Sequence, residues 1–175
     1  MSPIETAELA TPHAGLLDWL AAADIEYELH EHPLTFTARE TARAEGIDPH
    51  RFAKVVAVAT SDGRNALIVV DAVDRVDLVK ARHVLDAGAI RLLSEDEMRE
   101  LAPECAVGTI PPVGDLFGVH VYADHAVRED PEISFHAGSH RYTVHLDRAA
   151  WERSARVVYG DLAADRDGTP VWARS

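Results

Sequence analysis

Seventeen residues of this chain are basic, and fifteen of them are arginine; only Lys54 and Lys80 are lysine. Lysine supplies a compact, flexible ammonium where arginine supplies a flat fork. Lys54 opens the apolar run Phe52-Ala53-Lys54-Val55-Val56-Ala57-Val58-Ala59, which reads as a buried or half-buried strand. Period-two alternation puts it on one face with Phe52, Val56 and Val58. A cation there is costly unless it is paired or meets an anion, which makes Lys54 a candidate ligand anchor. The plain alternative is a lysine at a strand end that snorkels to water. Two glycine-centred segments are the other candidates. In Gly108-Thr109-Ile110-Pro111-Pro112-Val113-Gly114, glycine allows close backbone approach and proline stiffens the path. Such a loop can hold backbone N–H groups against a carbonyl oxygen; as chemistry alone it is equally a surface crossover. Ala137-Gly138-Ser139-His140-Arg141 gathers a hydroxyl, an imidazole and a guanidinium around a flexible glycine, and is otherwise a hairpin turn.

The remaining reactive types carry weaker patterns. Ten histidines include His30-x-His32, His120 with His125, and His136 with His140 and His145. None matches a zinc-hydrolase spacing such as H-E-x-x-H, so they are expected to be solvated or hydrogen-bonded, with no metal and no cofactor. Cys105 is the sole cysteine, which excludes an internal disulfide or a cysteine-built zinc site; it is expected to be a small buried apolar residue. No nucleophile elbow and no P-loop is present.

The elements that must position these groups are short. Leu16, Leu17, Trp19 and Leu20 predict a helix ending near Asp24, and Ile25, Tyr27 and Leu29 a strand. Thr37-Ala38-Arg39-Glu40 has a capping-box pattern, predicting a helix over 38–45 stopped by Gly46, with Asp48-Pro49 opening one further turn. Strands 53–60 and 65–70 form a hairpin across Ser61-Asp62-Gly63-Arg64. A helix over 77–86, a strand at 90–93 and a helix opened by Ser94 and stopped at Pro103 follow. Phe117, Val119 and Val121 predict a strand. Ile133 and Phe135 share one face of the next strand, Ser134 and His136 the other; Gly138-Ser139 is the expected turn, and Tyr142, Val144 and Leu146 the return. Parity places His140 with those last three, drawn inward. Asp147 caps a last helix through Trp151. Residues 1–153 are read as one domain and 154–175 as a tail, loose or docked. The fold class is α+β, with a largely antiparallel or mixed sheet.

Composition excludes some functions. A chain of 175 residues that is 47% hydrophobic can bury one core. A formal charge of −13 argues against duplex DNA as partner. No apolar run approaches the roughly 18 residues of a membrane span, and Met1 to Gly15 lacks a basic n-region, so no membrane partner and a cytoplasmic location are expected.

Phe52-Ala53-Lys54-Val55, then Gly108-x-x-x-Pro112, then Phe135-His136-Ala137-Gly138-Ser139-His140-Arg141, in this order, resemble the YbaK family of aminoacyl-tRNA deacylases. The same module occurs as the editing insertion of bacterial prolyl-tRNA synthetase. The likeness runs from about residue 14 to 153 and takes in Tyr27-Glu28-Leu29-His30-Glu31-His32-Pro33, Asp77-Leu78-Val79-Lys80 and the Ser94 helix. It implies a mixed, partly barrel-like sheet flanked by short helices, and hydrolysis of the ester joining a wrong small amino acid (Ala, Ser or Cys) to the 3′ end of a tRNA such as tRNA-Pro. By the same resemblance Lys54 lies near the tRNA terminus, and Gly108, Thr109 and Pro112 shape the amino-acid pocket and approach the ester carbonyl. Gly138, Ser139 and His140 form the second glycine loop, and His30 lies at the pocket rim. Lys54, Gly108 and His140 are the expected catalytic groups; His30, Thr109, Pro112, Gly138 and Ser139 the expected substrate contacts. Either a local patch of Arg39, Arg43, Arg51 and Lys54 holds the tRNA, or prolyl-tRNA synthetase delivers it in trans. The other class of function is a non-catalytic module that keeps the pocket and binds a small aminoacyl or nucleotide ligand.

Overall fold

The computed structural model describes residues 11–165. The expectation of no signal peptide in Met1 to Gly15 lies mostly outside that range. Helix α1 (Ala14–Ala22) leads to strand β1 (Tyr27–Glu31) and helix α2 (Ala38–Glu45). Thr37 caps α2 by accepting from the Glu40 N–H, and Gly46 ends it at φ +68°. The return half of the capping box is displaced, because the Glu40 carboxylate accepts from the Phe36 N–H. Asp48–Arg51 closes as a single turn with Arg51 N–H on the Asp48 carbonyl, not as a helix.

The hairpin β2 (Ala53–Thr60) and β3 (Asn65–Asp71) is antiparallel with Lys54 opposite Val70. Helix α3 (Leu78–Val84), strand β4 (Ile90–Leu92) and helix α4 (Glu95–Leu101) follow, the last with both halves of the Ser94–Glu97 capping box formed. Phe117 and Val119 do not join the expected strand. Gly114–Leu116 forms a 3-10 turn and Gly118 takes φ +69°, so strand β5 spans only His120–Asp124. Strands β6 (Glu132–Ser139) and β7 (Tyr142–Asp147) form the second hairpin. Its turn is His140-Arg141, two residues beyond the expected Gly138-Ser139; β6 continues through Ser139, with a register slip between His136 and Ser139. Helix α5 (Arg148–Ser154) and strand β8 (Val158–Gly160) complete the described chain. The tail is therefore docked as far as Asp165. β8 pairs parallel to β5, Leu162 is fully buried, and Lys80 Nζ donates to Asp161, Asp165 and the Ala163 carbonyl. Lys80 is thus a structural cation.

Two sheets result: β1-β7-β6, and the mixed β4-β2-β3-β5-β8. They meet at a parallel bridge between Phe52 and Ser134, and both orders are open at their edges. The mixed α+β architecture with flanking helices is as expected, in two joined sheets. The main core lies between them, from Ile133, Phe135, Val144 and Leu146 on one side to Ala57, Leu67, Val69 and Val121 on the other, closed by Leu16, Leu20 and Trp151. α3 covers the outer face of the larger sheet through Ala81 and Leu85. α2 covers the outer, polar face of the smaller one, reaching it through Thr41, Glu45 and the apolar contact of Ala38 and Ala42 with Phe52. Among the described residues no helix is long and apolar enough to cross a membrane.

Candidate active site

The two glycine segments meet. Gly138 N–H donates to the Thr109 carbonyl at 3.0 Å, and Ala106 N–H donates to the Gly138 carbonyl at 3.1 Å. Both glycines need the left-handed conformation, Gly108 at φ +86° and Gly138 at +81°, which other residues rarely take. Gly138 is also tightly enclosed: a Cβ there would lie 2.9 Å from His13 Cβ and 3.3 Å from Cys105 Sγ. Around Gly108 there is open space, and Gly108 itself is exposed. The Thr109 hydroxyl donates to the Ala106 carbonyl and locks the turn. Pro112 is buried, with its carbonyl accepting from the Trp151 indole at 2.8 Å. Ser139 is fully buried, and its Oγ accepts from the Arg141 N–H.

Imidazoles line the junction. His140 lies in the turn between β6 and β7, so the parity of β7 does not fix it. Its ring instead stands 6.3 Å from His136 and 5.3 Å from Phe36. His136 lies 6.5 Å from His32 and meets Phe52 edge-on at 5.3 Å. Thr41 of α2 bonds His136 Nε2 at 2.8 Å. His32 Nδ1 is 2.8 Å from the Pro33 carbonyl, so it donates there and Nε2 carries a lone pair. Among the described residues, that Nε2 and His140 Nδ1 are buried without a hydrogen-bond partner. Burial drives the His136 pKa down to about 3 and lowers that of His140 against the pull of nearby Thr35 and Val107 backbone groups. Both rings are therefore neutral near pH 7. The sequence weighed His32 and His136 only as histidine pairs for a metal and as members of the family-like segments, not as neighbours of each other; Thr41 was not singled out.

Lys54 is half-buried, and among the described residues it has no hydrogen-bond or ion-pair partner. Burial lowers its pKa, Asp74 opposes from a distance, and Arg75 and Arg39 push further down. Lys54 connects to the imidazoles through Phe52, its strand neighbour, and through α2, which carries both Arg39 and Thr41. His30 is not brought to the glycine loops. It pairs with Thr143 of β7, and its ring lies 4.2 Å from that of His145 at a 47° tilt, beside Glu45; His30, Glu45 and His145 are the described residues that could hold a metal ion. Cys105 is buried, and its thiol is pushed up to about 12, mainly by burial. A cavity of about 380 Å³ lined by Thr60, Arg64, Leu85, Phe117 and Tyr122 lies at the opposite end of β2 from Lys54.

Comparison with known proteins identifies relatives of the chain and of its fold. The model of the aminoacyl-tRNA editing domain covers residues 32–153. The proline–tRNA ligase of Shouchella clausii is 30% identical over 174 residues, 95% of this chain and 28% of the ligase. That of Halalkalibacterium halodurans is 29% identical over 162 residues, 86% of this chain and again 28% of the ligase. The chain therefore spans little more than a quarter of these relatives. Among solved structures, hypothetical protein APE2540 superposes with a TM-score of 0.79 at 18% identity, covering 85% of this chain and 99% of that one. A proposed trans-editing enzyme for prolyl tRNA synthetase superposes with a TM-score of 0.75 at 24% identity, covering 94% and 99%. These two likenesses carry the fold. With the family model matched from the His32 step through α5 and across both glycine segments, the chain belongs to the aminoacyl-tRNA editing domain family, the YbaK and prolyl-tRNA synthetase-associated group.

Proposed function

We propose that this chain is a hydrolase that acts in trans on mischarged aminoacyl-tRNA, removing a small amino acid such as Ala, Ser or Cys, with tRNA-Pro the tRNA. The observation that carries this reading is the junction of the Gly108 and Gly138 segments beside two buried imidazole nitrogens that lack partners among the described residues. An aminoacyl ester is already reactive, so positioning a water and stabilising an oxyanion suffice. Among the described residues the N–H groups of Val107 and Gly108 donate to no carbonyl, and they would face the developing oxyanion. His140 Nδ1 or His32 Nε2 would take a proton from water as its oxygen bonds the acyl carbon. The bond from that carbon to the ribose oxygen then breaks, and the ribose oxygen regains a proton. Lys54 would hold the phosphate or ribose of the terminal nucleotide. Enclosure by Thr109, Ile110 and Pro112 would exclude larger side chains by size.

A body of charge −13 binds tRNA poorly unaided. The relatives that carry this module are proline–tRNA ligases, which supports a synthetase as the partner that presents the tRNA. The test is incubation of the purified protein with Ala, Ser, Cys and Thr esters of tRNA-Pro and of cognate tRNAs, with and without prolyl-tRNA synthetase. Selective loss of one small ester is expected. No loss on any of them, synthetase included, would replace this reading with the non-catalytic binding module.

A further inference from the structure

α2 is fastened to the polar face of the small sheet by groups that the proposed hydrolysis does not use. His30 of β1, Glu45 of α2 and His145 of β7 each bring one ligand atom to within 4.8 Å of the others. His30 Nδ1 lies 3.4 Å and His145 Nε2 3.5 Å from Glu45 Oε1. Both separations exceed the roughly 2.7–3.2 Å of an N–H···O bond. They do match the edge of a ligand tetrahedron around an ion with bonds of about 2.0–2.1 Å, which is about 3.4 Å. The far nitrogen of each imidazole is already held: His30 Nε2 by Glu28 at 3.1 Å, and His145 Nδ1 by Ser134 Oγ at 2.6 Å. Such outer partners fix the tautomer and aim the free lone pair inward. The Thr143 hydroxyl donates to the Glu45 carboxylate at 2.8 Å and stands 3.2 Å from His145 Nε2. The Glu45 side chain is 6% exposed and that of His30 44%, so the carboxylate is fixed and the entry is open.

We infer that His30, Glu45 and His145 bind one divalent ion of the zinc class, which staples α2 to β1 and β7. Two imidazoles and one carboxylate suit Zn²⁺ or Co²⁺, whereas Mg²⁺ and Ca²⁺ prefer all-oxygen shells. Three protein ligands leave a fourth position for water. The inference stands independently of the deacylase reading, since its readouts are binding and stability. The chelator-stripped protein is titrated with Co²⁺ and Zn²⁺ while visible absorption and melting temperature are followed. One equivalent of Co²⁺ should give a tetrahedral d–d band that Zn²⁺ displaces, and Zn²⁺ should raise the melting temperature where Mg²⁺ does not. His30→Ala, at a half-exposed side chain on an edge strand, should fold and weaken Co²⁺ binding at least tenfold. Glu45→Gln should do the same, and His120→Ala should leave binding intact. A wild-type protein with no band and no zinc-dependent shift would overturn the inference. So would undiminished binding in His30→Ala, which would mean that the ions sit on other histidines.

Discussion

Lys54 and Lys80 separate by their partners. Lys80 is spent on the tail, whereas Lys54 is half-buried and makes no hydrogen bond or ion pair among the described residues, an arrangement that stabilises a fold poorly and an incoming anion well. Lys54→Ala should therefore keep the melting temperature within a few degrees while lowering deacylation about 100-fold, the scale of losing one charge-stabilising donor. Lys54→Arg should not restore it, since a flat fork does not replace a point ammonium. Single-turnover assays on the best ester check both. Cys105 provides the converse case. With its thiol pushed up to about 12, it should resist thiol reagents at pH 8 until the protein is denatured, and Cys105→Ala should retain activity. A thiol titration against denaturant settles this. At this scale the lysine was legible because composition isolated it. That His32 and His136 lie near each other was not legible, because a histidine's type and spacing do not say whether it faces water or another imidazole.

Among the elements, the β6–β7 hairpin carries the most consequence. Local alternation correctly set Ile133 and Phe135 against Ser134 and His136, since strand faces follow from parity alone. It does not reach His140, which lies in the turn between β6 and β7, where strand parity no longer holds. The two glycines differ in a measurable way. Gly108→Ala should cost only the left-handed backbone term, about 1–2 kcal/mol. Gly138→Ala adds contact at 2.9 Å with His13 and should cost clearly more, with overpacking contributing about 1–3 kcal/mol. Urea denaturation of the two variants side by side tests the order. In α2, Thr37→Ala should cost about 1 kcal/mol through the lost cap and loosen Thr41 from His136.

For the molecule as a whole, the buried imidazoles predict acid sensitivity. Unfolded, His136 takes up its proton near 6.5; folded, only near about 3. Between those values the unfolded chain binds more protons, so stability falls as pH drops through that window, by up to about 1.4 kcal/mol per pH unit. From pH 6.5 to 5 this group alone should remove about 2 kcal/mol. His136→Asn should flatten the slope, as urea midpoints across pH will show. What the sequence by itself determined was the element order, most caps and turns, and the family. The elements rest on local signals: capping side chains, turn glycines and the period of apolar residues; the family rests on the resemblance carried by the ordered Lys54, Gly108 and Gly138 motifs. Only the tertiary structure decided the rest. It laid α2 over the polar face of the small sheet, joining Thr41 to His136 across 95 positions. It docked the tail as a strand parallel to β5, and it drew His30 to Glu45 and His145 instead of to the glycine loops. Such meetings depend on which faces bury one another, and no local window of residues contains that.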